Sequence, residues 1–170
     1  MLFRSIAVPG TMSFLIRDYD SARDGHRLRQ CVVELQEFER RLEPSLPQGE
    51  AMADPYLAFL LERCARSSGR ILVAEEDNTV AGLVAVLTRV SPEEPDEARQ
   101  EYAYISDLVV LARYRRRGLG RILLEHAEAL ARKRGATTLR VGVLAKNRIA
   151  HGLYQQLGFN DFQVQMVKDL

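Results

Sequence analysis

The sequence predicts a mixed α/β domain in which a central twisted mixed sheet of about six to seven strands is flanked by helices. Stretches rich in β-branched residues alternate along the chain with stretches whose apolar residues recur every three or four positions. One pair of the former is joined by a hairpin-type turn and others are separated by helix-length segments, so antiparallel and crossover connections are both required. The length of 170 residues, 46% hydrophobic and 28% charged, is enough for one core and cramped for two domains.

Taken in order, residues 1–11 show no clear periodicity and are expected to be a disordered or extended segment ahead of a single domain at 12–170. Met12 stands directly before a first strand at 13–17 and is an alternative start to Met1. From Asp20 to about Arg40, the spacing of Leu28, Cys31, Val32, Leu35 and Phe38 predicts an amphipathic helix. The run 44–49, with Pro44, Pro47 and Gly49, ends it, and Asp54-Pro55 reads as an N-cap and first residue of a second helix that closes at Ser67-Ser68-Gly69.

Residues 71–75 and 80–87, separated by Glu76-Asp77-Asn78-Thr79, read as a hairpin, and 91–97 as a solvated loop. A long strand is expected at 101–111. A helix at 118–134 follows, carrying Leu119, Ile122, Leu123, Ala127 and Leu130 on one stripe and meeting Gly135 as its C′ residue. A strand at 138–144, a short helix at 147–157 stopped by Gly158, and an alternating strand at 162–167 complete the order β-α-α-β-β-β-α-β-α-β.

Charge narrows the function. Twenty-four Lys and Arg against twenty-three Asp and Glu leave a formal net charge of +1, so neither nucleic acid nor an anionic membrane is an expected partner. No apolar run approaches the ~20 residues of a membrane span, and the N-terminus lacks a signal-type apolar stretch and cleavage site. Cys31 and Cys64 match no metal-ligand or redox spacing, and a reduced, cytoplasmic, metal-free protein is expected.

The chemistry is concentrated where the strand at 101–111 runs through Arg115, Arg116 and Arg117 into the helix that begins at Gly118-Leu119-Gly120-Arg121. Glycines at a helix start let backbone N–H groups approach a ligand, the helix dipole adds positive potential, and the arginines add full charges, which together suit a pyrophosphate. The turn lacks the Gly-Lys-Ser/Thr ending of an ATP-binding loop. It also lacks the third small residue and the downstream acid of a dinucleotide fingerprint, since Leu123 and Leu144-Ala145-Lys146 stand there.

Arg115-Arg116-Arg117-Gly118-Leu119-Gly120 does match the Arg/Gln-x-x-Gly-x-Gly/Ala turn of the GNAT superfamily of acyl-CoA-dependent N-acyltransferases. Downstream, residues 147–159 resemble that family's Asn-x-x-Ala-x-x-Leu-Tyr-x-x-x-Gly-Phe signature, with Asn147, Ala150, Leu153, Tyr154, Gly158 and Phe159 in place. The resemblance runs from about residue 71 to 159 and more loosely from Ser13. It implies acetyl-CoA as co-substrate, its pantetheine arm lying along the backbone of Leu108, Val109 and Val110. Its pyrophosphate would sit on the backbone N–H groups of 116–121, with the arginine side chains of Arg115, Arg116, Arg117 and Arg121 at the rim.

By the same resemblance Asn147 bonds the pantetheine amides and Tyr154 is the general acid at the departing sulfur. The general base is open. Relatives place a Glu or His where Ser106 stands, so a water relay through Ser106 and Tyr104 is one candidate, and Glu34, Glu37, Glu75 and Glu101 are others. Strict alternation puts Tyr104 on the face of Ser106 and Asp107 on the opposite one. The acceptor is expected to be a primary amine of a small molecule or peptide, with the helix pair 20–68 walling its pocket, and the protein to be a homodimer. The competing reading is a non-catalytic CoA-binding regulatory module.

Overall fold

The computed structural model describes residues 14–92 and 100–168. The expectations for 1–11, for the start at Met12 and for the body of the loop at 91–97 lie outside the described residues. Five strands form one sheet in the order β1-β2-β3-β4-β5: β1 (Leu15–Asp18), β2 (Arg70–Glu76), β3 (Thr79–Val90), β4 (Tyr102–Val110) and β5 (Leu139–Val141). Neighbours from β1 to β4 are antiparallel, and β4 and β5 are parallel.

Helices α1 (Ser21–Leu42) and α2 (Gly49–Arg66) pack on each other and on β3, while α3 (Leu119–Lys133) packs on β2, β3 and β4. Every residue of β3 from Val80 to Thr88 is buried, which requires helices on both faces of the sheet. A short helix, α4 (Arg148–Gln156), follows β5.

Local chemistry accounts for most boundaries. Asp20 caps α1 by accepting the N–H of Ala22 at 3.0 Å. Asp77 and Asn78, with φ of 48° and 59°, form a two-residue turn between β2 and β3, the primed geometry that matches strand twist. Gly135 takes φ 86° just after α3, as its C′ position predicts.

Three boundaries differ from the sequence reading. Helix α2 begins at Gly49 rather than at Pro55, which stands inside it. The earlier start is held by Glu37 of α1, whose Oε1 accepts the Gly49 N–H at 2.7 Å, and by Met52 N–H donating to Gln48 at 3.2 Å. Strand β5 is three residues long instead of seven, because β4 pairs it only as far as Val141. Residues 162–167 form no strand despite their alternation, and Phe162, Val164, Met166 and Val167 are all exposed. Among the described residues the sheet therefore has five strands, with β1 and β5 at its edges.

An ion cluster fastens β1 to the rest. The Arg17 guanidinium donates to Asp24 at 2.6 and 2.9 Å and to Glu75 at 2.6 and 2.9 Å, and Arg23 adds a 2.7 Å bond to Glu75. The Arg17 hydrogen bond holds Asp24 below the usual carboxylate range. Burial pushes Glu75 upward, but Arg17 and Arg23 outweigh it and hold Glu75 low as well. Cys31 and Cys64 are free and buried, and burial raises their thiols to about 12 and about 11. Among the described residues no helix is long and apolar enough to cross a membrane.

Because Asp24 and Glu75 are depressed in the folded state, the stability they contribute is present above their unfolded pKa of about 4 and lost as pH falls below it. Arg17→Met, which leaves two buried carboxylates without this partner, is expected to cost about 3 kcal/mol at neutral pH and to flatten the acid dependence. Urea titrations of both proteins across acidic and neutral pH measure this.

Candidate active site

Strand β4 has two different halves. Ala103, Tyr104 and Ile105 pair in parallel with Leu139, Arg140 and Val141, but past Ile105 the two strands part. From Ser106 to Val110, β4 keeps β3 on one edge only, with Leu108 opposite Val84, Val109 opposite Leu83 and Val110 opposite Gly82. This leaves the backbone of Leu108, Val109 and Val110 beside the gap between diverging strands, where an extended ligand could add as a strand does. The Val110 carbonyl already accepts a bond from Arg115 Nε at 2.9 Å.

The gap leads to the start of α3. A short 3-10 turn, Ala112–Tyr114, is followed by Arg116 at φ 61° and Gly118 at φ 77°. Gly118 is the N-cap, its left-handed backbone suits glycine, and it offers no capping side chain. With no acid in the first turn, the N–H groups of Leu119, Gly120 and Arg121 lack intrahelical acceptors and form the positive end of the helix dipole. A Cβ on Gly120 would stand 3.2 Å from Leu153 Cδ2, so glycine also keeps α3 close to α4.

The arginines divide. Arg115 donates to Glu34 at 3.1 Å, and Arg117 pairs with Glu76 and lies over the rings of Phe14 and Tyr114. Their side chains brace the turn instead of lining its rim, a departure from the sequence reading caused by the carboxylates that α1 and β2 present there. Arg116 and Arg121 are exposed, Arg121 making a 3.5 Å bond to Gln156.

Asn147 is the N-cap of α4, its side chain accepting the Ala150 N–H at 3.1 Å, so it precedes the helix that carries Tyr154. Tyr154 is buried and packs on Phe159 with ring centroids 5.7 Å apart. Burial, then the charges of Glu39, Tyr104 and Asp107, push its hydroxyl up to about 12. Tyr154 is thus the inner residue of α4 and shares an electrostatic neighbourhood with β4 and α1. His151 instead turns outward to Asp161, 2.6 Å away.

The candidate bases of the sequence reading separate clearly. Glu34 accepts the Ala112 N–H at 2.6 Å and pairs with Arg115, Glu37 holds Arg40 and Gly49, Glu75 holds Arg17, and Glu101 holds Arg89. Ser106 and Tyr104 both lie near Arg63, whose Nη1 donates to Ser106 Oγ at 3.5 Å and whose guanidinium sits 5.8 Å from the Tyr104 ring.

Asp107 is the residue that sequence reasoning placed wrongly. In the β3 pairing Ala85 faces Asp107 and Val86 faces Ile105, so Ser106 is the extra residue of a β-bulge. The bulge moves Asp107 onto the face of Tyr104, against strict alternation. There Asp107, only 5% exposed, accepts the Tyr56 hydroxyl at 2.7 Å and lines a cavity of about 130 Å³ between α1, α2 and β4. Val32, Leu35 and Met52 form its apolar wall, and Gln36, Glu39, Tyr56 and Ser106 its polar one.

A parallel pair of strands that diverges beside an uncapped, glycine-led helix start, with a buried tyrosine on the next helix, forms a cleft suited to an extended ligand that carries phosphate. Residues 33–159 match the model of the Acetyltransferase (GNAT) family, and the chain belongs to that family. The [Ribosomal protein bS18]-alanine N-acetyltransferase of Escherichia coli is 43% identical over 63 residues, 37% of this chain and 43% of that protein. The chain thus matches less than half the length of that relative. An uncharacterized N-acetyltransferase of Bacillus subtilis, YhdJ, is 33% identical over 101 residues, 58% of this chain and 68% of the relative.

Solved structures share the fold. A mutant of the BH1408 protein of Bacillus halodurans superposes with a TM-score of 0.80 at 19% identity, over 92% of this chain and 99% of that one. AAC(6')-Iy, solved with the bisubstrate analogue CoA-S-monomethyl-acetylneamine, gives a TM-score of 0.67 at 18% identity, over 93% of this chain and 99% of the other.

Gly118→Ala tests the turn itself. An L residue at φ 77° meets no neighbouring atom within 4 Å, so the cost is backbone strain alone, about 1 kcal/mol. Urea unfolding of the variant is expected to show that loss.

Proposed function

We propose that the protein moves the acetyl group of acetyl-CoA to a primary amine of a small molecule or peptide, by direct attack of the amine within a ternary complex. The observation that carries this is the free edge of β4 at 106–110 opening onto the uncapped start of α3, with Tyr154 on the neighbouring helix. Leu108, Val109 and Val110 would bind the pantetheine arm through the backbone, and the N–H groups of 116–121 the pyrophosphate, with the exposed Arg116 and Arg121 contributing charge.

A tyrosine whose hydroxyl is raised by burial keeps its proton at neutral pH and can give it to the sulfur as the C–S bond breaks. Developing charge on the carbonyl oxygen would be met by a backbone N–H of β4, that of Leu108 being the candidate. The water relay through Ser106 and Tyr104 remains part of this proposal as a path for protons between cavity and solvent. A peptide amine is supported by the name of the Escherichia coli relative, and a small-molecule amine by the acetylneamine analogue bound to the structural neighbour. The unpaired thiols of Cys31 and Cys64 support a cytoplasmic setting, and the edge of β5, unpaired among the described residues, offers one route to a homodimer.

Calorimetric titration with acetyl-CoA, followed by free-thiol release across amino acids, polyamines, aminoglycosides and short peptides, tests the reading. Tight binding with release on one class supports it, and binding without release on any would favour a non-catalytic CoA-binding module. Gly120→Glu, which puts bulk and negative charge at the α3 start, is expected to abolish acetyl-CoA binding with an unchanged circular dichroism spectrum. Tyr154→Phe is expected to lower kcat about 100-fold with unchanged acetyl-CoA affinity, and equal turnover would reduce Tyr154 to a packing residue.

A further inference from the structure

We infer that Asp107, fixed by Tyr56 at the bulge of β4, is the seat of the acceptor's ammonium group and the base that takes its first proton, and that the acceptor is a primary monoamine on a compact apolar body. This rests on the acetyl-transfer reading and assigns the residue that reading leaves open.

Four observations converge. Asp107 is buried at the cavity, and its Oδ1 is already committed to Tyr56 while its Oδ2 has no hydrogen-bond partner among the described residues. A buried carboxylate oxygen without a donor is costly, and an ammonium group supplies both the donor and the countercharge. A second carboxylate, Glu39, faces the same small cavity, and the negative charge of Asp107 raises its pKa after burial does. Both acids line one small cavity, and an acceptor carrying a single ammonium group needs only one of them ionised.

The rest of the wall sets the body of the substrate. Val32, Leu35 and Met52 make one side apolar, Gln36, Glu39, Tyr56 and Ser106 make the other polar, and about 130 Å³ leaves room for only a short alkyl group laid against the apolar side. Burial pushes Asp107 upward against the opposing effects of Tyr56, Ser106 and Arg63. The charge of Asp107 also contributes to raising the Tyr154 hydroxyl, after burial, Glu39 and Tyr104.

The protons balance. Asp107 takes one proton from the ammonium group, and the freed nitrogen lone pair forms the N–C bond to the thioester carbonyl. The C–S electrons leave on sulfur, which takes the Tyr154 proton. The surplus proton on nitrogen restores Tyr154, Asp107 returns its own to solvent, and the sum is amide, thiol and one released proton.

The test uses the full chain, acetyl-CoA, and two probes of similar length, n-propylamine and 1,3-diaminopropane. The wild-type protein is expected to favour propylamine by about tenfold or more in kcat/KM. Asp107→Asn, which keeps the shape and the Tyr56 contact, is expected to lose at least about 100-fold in kcat/KM for propylamine with acetyl-CoA affinity in calorimetry unchanged. Met52→Trp, which crowds the cavity from α2 while leaving the Asp107 side chain itself unaltered, is expected to raise KM for the amine and leave acetyl-CoA affinity unchanged.

Undiminished kcat/KM in Asp107→Asn, preference for the diamine, or turnover of neither probe would each overturn the inference while leaving acetyl-CoA binding as evidence for the parent reading. Failure of the wild-type chain to bind acetyl-CoA would remove that reading, and this inference with it.

Discussion

Strand β4 is hydrogen-bonded on both edges only as far as Ile105, and the bulge at Ser106 lies where the second partner is lost. That single irregularity positions almost everything else. Past it, the strand has a free edge on the side of β5 and a re-aimed side chain on the side of the α1–α2 pair. Because an extra residue in one strand reverses its later alternation, Asp107 arrives on the cavity face instead of the opposite one. A regular β4 would bury Asp107 on the other face and leave the cavity without its inner carboxylate.

The divergence of β4 from β5 depends in turn on how the chain leaves each strand. Beyond Val110, Leu111 still donates to Ala81 at 3.0 Å, so β4 stays with β3 until the 3-10 turn begins. Strand β5 has no such continuation, and the chain turns off after Val141 toward the Asn147 cap of α4. The sheet therefore opens at the C-terminal ends of its two parallel strands, the place where open α/β sheets generally receive ligands.

Much of this was legible in the residues. The glycine-led start of α3, the Asp20 cap, the Asp77-Asn78 turn and the left-handed Gly135 follow from backbone chemistry that acts over a few positions. The two signature segments point to the correct family because they occur together, on the elements that use them. What local patterning does not encode is tertiary. Glu37 draws the start of α2 back to Gly49 past the Asp54-Pro55 signal, and Glu34 and Glu76 capture Arg115 and Arg117 from a turn that reads as uniformly available for phosphate. Alternation at 162–167 is a strand pattern that finds no place in the sheet. The bulge at Ser106 leaves no mark in composition at all, and only the Ala85 and Val86 register reveals it.

Helix α1 ties the two ends of the site together. Its Glu34 accepts the Ala112 N–H and holds Arg115, so it anchors the turn that leads to the positive end of α3. Five residues on, a little more than one helical turn, Glu39 faces the cavity that Asp107 lines. One rigid element thus carries an acid that steadies the turn before the positive end of α3 and another that sets the polarity of the cavity. The turn's braced arginines and the cavity's carboxylates are opposite in sign, and β4 runs between them. A cationic amine and an anionic nucleotide would consequently be drawn to different ends of the same strand, which keeps each out of the other's place and leaves the neutral thioester for the interval between, beside Tyr154.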